Sequence, residues 1–483
     1  MKLYELLNHV EVLETSLDGN TEIRFVTSDS RQVTEGSLFV AVNGFAVDGN
    51  RFIPMALQKG AVAIVTAQKP EEDIPYVLVR NDRLALATIG TNYYGNPSRS
   101  MTMIGVTGTN GKTSTTWLLK QVLEKVTGKK VGLVGTMANY IGQEELPTER
   151  TTPESIQLQQ LFAQMRDAGC GYAVMEVSSH AIMLDRVAGI HFEVAAFTNL
   201  TQDHLDFHKT MEGYCDAKAR LFSRCEKAVV NADDAWADRV LKDCQAPVLR
   251  CGMREGQLRA ENVEMFAGGV RFTAVYGDEK VAVSVPIPGK FTVYNALSVL
   301  GIALQLGIHL QDAANALKNV QGVKGRVEVV PTPGKDYTVL IDYAHTPDGL
   351  ENVLSSVKSF CKGRLIAVFG CGGDRDRTKR PIMGGLGVKI ADLAVITSDN
   401  PRTEDPCAII EDVAAGVGDA ENYVVIENRL EAIHYALEIA QKDDIIVLAG
   451  KGHETYQEIM GVKHHFDERE AVAAWFAETE NKV

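Results

Sequence analysis

At 483 residues the chain is long enough for two to four domains, and 45% hydrophobic with 23% charged residues is an ordinary globular composition. A formal charge of −14 argues against a nucleic-acid surface, and eight scattered cysteines without a C-x-x-C pair argue against a disulfide framework or a zinc site. Residues 1–8 lack the apolar run of a signal peptide and no stretch approaches the ~18 apolar residues of a membrane span; a soluble, cytoplasmic, monomeric protein is expected.

Short strands are predicted near Ile23–Thr27, Leu38–Val42, Ala61–Thr66 and Tyr76–Val79, consistent with a small mixed α/β unit that ends in the turn-forming Gly95-Asn96-Pro97-Ser98. An apolar stretch (Met103, Ile104, Val106) then runs into Thr107-Gly108-Thr109-Asn110-Gly111-Lys112-Thr113-Ser114. A helix follows, with Leu119, Val122, Leu123 and Val126 at i, i+3, i+4 and i+7 and Gly128 at the C-terminal cap position. A glycine-rich turn between strand and helix presents backbone N–H groups to a polyphosphate, so Gly108–Ser114 is the expected ATP loop. Lys112 would reach the β/γ-phosphates and Thr113 the Mg²⁺ ion. The spacing departs from G-x-x-x-x-G-K, because position 106 is Val106.

Further strands near Val131–Val134, Ala173–Val177, Val194–Thr198 and Ala228–Val230 alternate with helical stretches and suggest a largely parallel sheet. Two of them end in polar runs, Glu176-Val177-Ser178-Ser179-His180 and Asn199 through Asp206. Glu176 with Thr113 is suited to hold a hard Mg²⁺ ion, and His204 is a candidate near a second. Residues 214–222 read as one helix carrying Lys218, and a hairpin is expected from Val270–Tyr276 and Lys280–Val285.

A second seam, Gly322 to Arg326, precedes strands at Val339–Ile341, Leu365–Phe369, Leu393–Thr397, Val424–Ile426 and Ile445–Leu448, with helices such as Leu350–Val357 and Leu430–Leu437 between them. Four strands run into polar loops, at 342–345, 372–375, 398–402 and 450–454. Ligands of open α/β sheets bind beyond the carboxyl ends of the strands, so these loops make a second ligand site. The expected fold class is α/β in three domains, 1–98, 99–325 and 326–483. They are a small mixed α/β unit, a central P-loop-type ATPase domain with a mostly parallel sheet, and a Rossmann-like C-terminal domain.

The loop 107–113 resembles the nucleotide loop of the Mur ligases and their folylpolyglutamate synthetase relatives. The segment Tyr214-Cys215-Asp216-Ala217-Lys218-Ala219-Arg220-Leu221-Phe222 resembles the Mur-ligase segment whose lysine is carbamylated by CO₂. The resemblance implies that carbamylated Lys218 joins Thr113, Glu176 and His204 as a metal ligand, and that Lys112, Lys218, His204 and Glu176 are the catalytic set. It further implies that Ser30, Thr151, Thr152, Ser178 and Arg186 contact a UDP-muramoyl-dipeptide, with 1–98 the uridine-side domain. Asn295 and Arg326 would lie on the adenine and ribose side of ATP. Asp399-Asn400-Pro401-Arg402 resembles the signature of family members that add meso-diaminopimelate, an arginine that lysine-adding members do not carry; with Arg375, Gly450 and Glu454 it would form the amino-acid pocket. The implied substrates are ATP, UDP-MurNAc-L-Ala-D-Glu and meso-diaminopimelate. The implied route is an acyl phosphate, with domain closure keeping water from it. A lysine-adding or folylpolyglutamate-type ligase is the nearest alternative. A nucleotide-dependent switch or transporter ATPase is the rival from another class, and it needs neither the Lys218 segment nor the loops from 342 to 454.

Overall fold

The computed structural model describes residues 1–44, 47–148 and 150–480. They form two compact units: 1–259 with 276–278 and 297–316, and 260–275 with 279–296 and 317–483. Among the described residues no helix is long and apolar enough to cross a membrane.

The first unit holds two sheets. One comprises β1 (Val12–Thr15), β2 (Phe25–Thr27), β3 (Ser37–Ala41), β4 (Ala61–Thr66) and β5 (Tyr76–Val79), in the order β1-β5-β4-β3-β2. Only β1 runs antiparallel to its neighbour. β1 escapes sequence reading because all four of its residues are exposed, so no buried face imposes an alternation.

The other sheet contains β6 (Thr102–Thr107), β7 (Lys130–Val134), β8 (Asn139–Ile141), β9 (Glu144–Leu146), β10 (Cys170–Glu176), β11 (Phe192–Phe197), β12 (Cys225–Asn231) and β13 (Val248–Gly252). Within the first unit their order is β13-β12-β11-β6-β10-β7-β8-β9. The strands from β13 to β7 are parallel, and β8 and β9 turn back antiparallel. β6 is central, with Met103, Ile104 and Val106 all buried, as an unbroken apolar run should be when helices cover both faces. The helix Lys112–Thr127 buries Leu119, Val122 and Leu123, and Gly128 ends it in the left-handed region (φ +68°), its N–H donating to the Glu124 carbonyl at 3.0 Å. The helix that carries Lys218 starts and ends three residues earlier than expected: it covers Met211–Ala219, and Phe222–Arg224 is a separate 3₁₀ turn with Phe222 buried.

β14 (Leu258–Phe266), β15 (Gly269–Tyr276) and β16 (Glu279–Val285) follow, and β15 and β16 are the expected hairpin strands. The main sheet of the second unit contains β17 (Glu328–Val330), β18 (Thr338–Asp342), β19 (Leu365–Phe369), β20 (Leu393–Ile396), β21 (Tyr423–Val425) and β22 (Ile445–Ala449). Its order is β17-β18-β22-β19-β20-β21, parallel throughout except for β17. Residues alternate between two cores: Leu340, Ala367 and Phe369 face one, Val339, Ile341, Ile366 and Val368 the other. The helix Pro347–Lys358 packs in the first core and Arg429–Ile439 in the second. The chain therefore winds outward along one face and returns along the other, seating β22 between β18 and β19 and creating a switch point at their carboxyl ends. A hairpin, β23 (Tyr456–Ile459) with β24 (Val462–His465), follows β22.

Arg429 pins this edge from inside. Its side chain and that of Glu468 are both fully buried and pair at 2.8 Å. The guanidinium also donates to the carbonyls of Ser398 (3.3 Å) and Ala449 (2.8 Å), where β20 and β22 give way to their loops. Removing one partner leaves an uncompensated buried charge. Arg429→Ala should therefore destabilise the protein by about 3–5 kcal/mol, and Arg429→Met combined with Glu468→Leu by much less. Urea melts of both variants check this.

Candidate functional site

Gly108 and Gly111 make the turn between β6 and its helix, with φ of +151° and +83°. A Cβ on Gly108 would meet Thr198 Oγ1 at 1.9 Å, so only glycine fits. The loop is held from the end of β11. The Thr109 amide donates to the Asn199 carbonyl (2.9 Å), the Asn110 amide to Asn199 Oδ1 (2.9 Å), and the Thr198 hydroxyl to the Asn110 carbonyl (2.6 Å). Lys112 Nζ folds back to the carbonyls of Gly108 (2.9 Å) and Thr109 (2.8 Å), and Ser114 lies in the first helical turn.

Three predicted residues converge beside the loop. Glu176, buried at the end of β10, accepts from the Thr113 hydroxyl (3.0 Å), the Thr136 amide (2.8 Å) and the Thr136 hydroxyl (3.0 Å). Lys218, 1% exposed, donates from Nζ to the Gly108 carbonyl at 2.9 Å and lies over the Tyr214 ring at 4.4 Å. Burial holds Lys218 well below the ordinary lysine range, and the Lys112 charge pushes the same way. Tyr214 is in turn raised to about 12, chiefly by burial. His204, half-exposed in the left-handed region (φ +52°), meets Asp203 at 3.3 Å and packs edge-on against His180 at 4.8 Å between centroids. The oxygen donors Thr113 and Glu176, 3.0 Å apart, suit a hard divalent cation; an ammonium at Lys218 does not, whereas a carbamate there would.

Four of the five residues expected to meet the UDP-linked substrate, Thr151, Thr152, Ser178 and Arg186, surround the same strand end. The Thr152 hydroxyl donates to the Glu176 carbonyl (2.8 Å) and accepts from the Ser178 amide (3.2 Å). The Thr151 and Thr136 hydroxyls lie 3.0 Å apart, and Arg186 donates to the Thr152 carbonyl (3.1 Å) while pairing with Glu154 (2.7 Å). Ser30 lies beyond β2, in the wall of a cavity of about 1090 Å³ that Arg150, Glu154 and Gln157 also line. Asn295 and Arg326 belong to the second unit; Asn295 is buried, and the Arg326 guanidinium lies 5.2 Å from the Tyr343 ring centre.

The four expected loops do gather at the carboxyl edge of the second unit's sheet. Asn400 Nδ2 donates to Glu454 Oε2 (2.8 Å), and buried Lys451 reaches both Asn400 Oδ1 (3.1 Å) and Glu454 Oε2 (3.3 Å). Asp399 keeps Oδ2 buried without a hydrogen-bond partner among the described residues, and a Cβ on Gly450 would stand 2.5 Å from that oxygen. Arg402, in the left-handed region (φ +52°) after Pro401, sends Nη1 to the Gly373 carbonyl at 2.7 Å. Arg375 is exposed nearby: a Cβ on Gly372 would lie 2.9 Å from Arg402 Nη1 and 3.9 Å from Arg375 Cγ.

Residues 22–91 match the description "Mur ligase family, catalytic domain", 106–303 "Mur ligase middle domain" and 325–452 "Mur ligase, glutamate ligase domain". The chain belongs to the Mur ligase family. Among relatives of this family, the UDP-N-acetylmuramoyl-L-alanyl-D-glutamate--2,6-diaminopimelate ligase of Clostridium botulinum is 50% identical, over 94% of this chain and 95% of that protein. The enzyme of the same name numbered 1 in Clostridium acetobutylicum is 49% identical over 99% of this chain and 100% of its own length. A solved structure of a ligase bearing that name superposes with a TM-score of 0.78 at 32% identity, covering 99% of both chains. MurF from Acinetobacter baumannii (TM-score 0.63, 18% identity, 99% and 98% covered) shares the fold.

Several groups that shape this Mur-ligase site were not singled out from the sequence: Thr136, Lys451, Glu404 and Glu458. Thr136 has no distinguishing pattern, while Lys451 stands inside the 450–454 loop and could have been weighed with Glu454. Glu404 accepts from Arg380 (2.8 Å), Arg377 (2.7 Å) and the Asp374 amide (2.6 Å), tying the Arg375 loop to the Arg402 loop. Arg380 above all, helped by the Asp374 amide, holds its carboxyl at about 2. An unfolded glutamate titrates near about 4.3. The folded value is lower, so this stabilisation is complete above the unfolded value and lost as pH falls through about 2. Glu404→Gln should thus lower the melting temperature at neutral pH, with the gap to wild type closing between about pH 4 and pH 2. Thermal melts across that range would show a constant gap if the carboxylate charge were not the cause.

Proposed function

We propose that this chain joins meso-2,6-diaminopimelate to the D-glutamate of UDP-N-acetylmuramoyl-L-alanyl-D-glutamate at the expense of ATP, in cytoplasmic peptidoglycan precursor synthesis. The observation that carries this reading is Arg402 at the strand edge, next to a loop that brings together Asn400, Lys451 and Glu454. The distal carbon of diaminopimelate bears a carboxylate and an ammonium. A planar guanidinium pairs with the first, and the unpartnered Asp399 Oδ2 with Glu454 offers acceptors for the second.

ATP is bound along Gly108–Ser114 with its phosphates on the loop amides, and Lys112 swings from the loop carbonyls to the β/γ-phosphates. The D-glutamate side-chain carboxylate takes the γ-phosphoryl group, releasing ADP. The free amine of diaminopimelate then attacks the acyl carbon, and the tetrahedral adduct expels phosphate to leave the amide. Thr113 and Glu176 would hold one Mg²⁺ ion and His204 with carbamylated Lys218 a second, supplying positive charge as two anions approach. Burial favours the neutral amine at Lys218, the form that adds CO₂ and loses a proton to become a carbamate. Ser30 and the cavity wall, with Thr151, Thr152, Ser178 and Arg186, receive the uridine-linked substrate.

Mass analysis of the product formed with ATP, the UDP-muramoyl-dipeptide and either diaminopimelate or lysine tests the reading directly. Diaminopimelate should be incorporated and lysine poorly, because a site built to pair a substrate group can reject the analogue lacking it by about 10⁴-fold. Arg402→Ala should collapse that ratio of kcat/KM values, mostly by weakening diaminopimelate. An unchanged ratio would place the discrimination elsewhere.

Lys218→Ala should be nearly inactive and partly restored by a small carboxylate such as formate or acetate entering the vacated space. Wild-type turnover in this variant without added carboxylate would defeat the carbamate.

A further inference from the structure

The hairpin that follows the Gly450–Glu454 loop is fastened to the Asp399–Arg402 loop along its first strand. Gln457 Nε2 donates to the Asp399 carbonyl (2.7 Å), and the Glu458 amide to Asn400 Oδ1 (2.9 Å). The Arg402 amide donates to the Glu458 carbonyl (3.0 Å), and the Met460 amide to the Arg402 carbonyl (2.6 Å). This pairing sets the Glu458 carboxylate on the Nε edge of the Arg402 guanidinium, at 3.4 Å. Of the other acids around the pocket, Glu404 is engaged with Arg380 and Arg377, Asp374 with Thr403, and Glu454 with Lys451 and Asn400, while Asp399 keeps Oδ2 without a hydrogen-bond partner among the described residues; the acid paired with Arg402 is Glu458. Arg402 thus spends Nη1 on a carbonyl and Nε on an internal counter-charge, before any substrate carboxylate is considered.

We propose that Glu458 sets the selectivity of this pocket by partly neutralising Arg402, so that the arginine separates amino acids with and without a distal carboxylate less sharply than a lone guanidinium would. The inference rests on Arg402 reading that carboxylate. Two effects act in the same direction. A substrate carboxylate at Arg402 is repelled by Glu458 a few ångströms away, which weakens binding of diaminopimelate. With lysine in the pocket, Glu458 keeps Arg402 paired, which removes much of the cost of leaving a partly buried cation unpartnered. The opposing possibility is that Glu458 only orients Arg402, in which case its loss weakens diaminopimelate binding.

Glu458→Gln separates these, because the amide keeps the size and an acceptor for Nε–H while removing the charge. The measurement is kcat/KM for diaminopimelate and for lysine in wild type, Glu458→Gln, Glu458→Asp and Arg402→Ala, with KM for ATP reporting on folding. Glu458→Gln should lower KM for diaminopimelate and raise the diaminopimelate-to-lysine ratio by about fivefold, the order expected for one half-screened charge at this distance. Glu458→Asp, which retains the charge, should stay nearer wild type than Glu458→Gln does. A ratio that is unchanged or falls in Glu458→Gln overturns the proposal, since a merely structural role cannot produce a gain. If Arg402→Ala also leaves the ratio unmoved, the reading of Arg402 fails with it. If Arg402→Ala collapses the ratio and Glu458→Gln does not raise it, only the role of Glu458 fails.

Discussion

One backbone oxygen, the Gly108 carbonyl, accepts hydrogen bonds from both Lys112 and Lys218. Two ammonium groups on one acceptor, one of them shut away from water, repel each other at short range, and that repulsion adds to burial in favouring the neutral amine at Lys218. The arrangement depends on glycine at 108, because Thr198 occupies the space a Cβ would need. It also depends on β6, β11 and the helix Met211–Ala219 meeting there, which only a parallel sheet with its strand ends in register provides. The loop is thus held by contacts from Thr198 and Asn199, and its Gly108 carbonyl gathers the amines of Lys112 and Lys218.

The second unit repeats the strategy with different chemistry. Its parallel strands also stop at a common edge, but what stiffens the loops there is buried charge: Arg429 with Glu468, Arg380 with Glu404, and Lys451 with Glu454. Such pairs contribute little net stability, since desolvation consumes most of the attraction. What they do supply is geometry. Each cation also holds main-chain or side-chain acceptors of a neighbouring loop, so strand ends that have no ladder bonds of their own are kept in place. On the proposed reading this pocket recognises a zwitterionic amino acid and needs that rigidity, because a misplaced guanidinium loses its advantage over a point charge.

Much of this was legible in the chain itself. Unbroken apolar runs such as those of β6, β19 and β22, followed at once by glycine and polar residues, announced buried parallel strands and the edge where ligands would collect. The glycine-rich run at 107–113 identified one loop, and the Asp-Asn-Pro-Arg run another. These are short-range signals: a strand buried on both faces, a turn that needs positive φ, a helix that needs a cap. Each is decided within a few residues, so sequence is enough to specify it.

What stayed hidden is long-range. β1 carries no buried face, and so no pattern. Thr136 meets Glu176 only because β7 and β10 lie side by side, and Glu458 meets Arg402 only because a hairpin folds back across the loop from β20. An arginine that is fully buried, like Arg429, reads in sequence as one more charged residue at a helix start. Sequence therefore determined most of the buried strands and helices and where glycine-rich and polar loops follow them, through local propensity and hydrophobic pattern. Which charge stands beside which was decided by tertiary structure, because a pair separated by tens of residues has no energy until the sheet has brought its partners within a few ångströms.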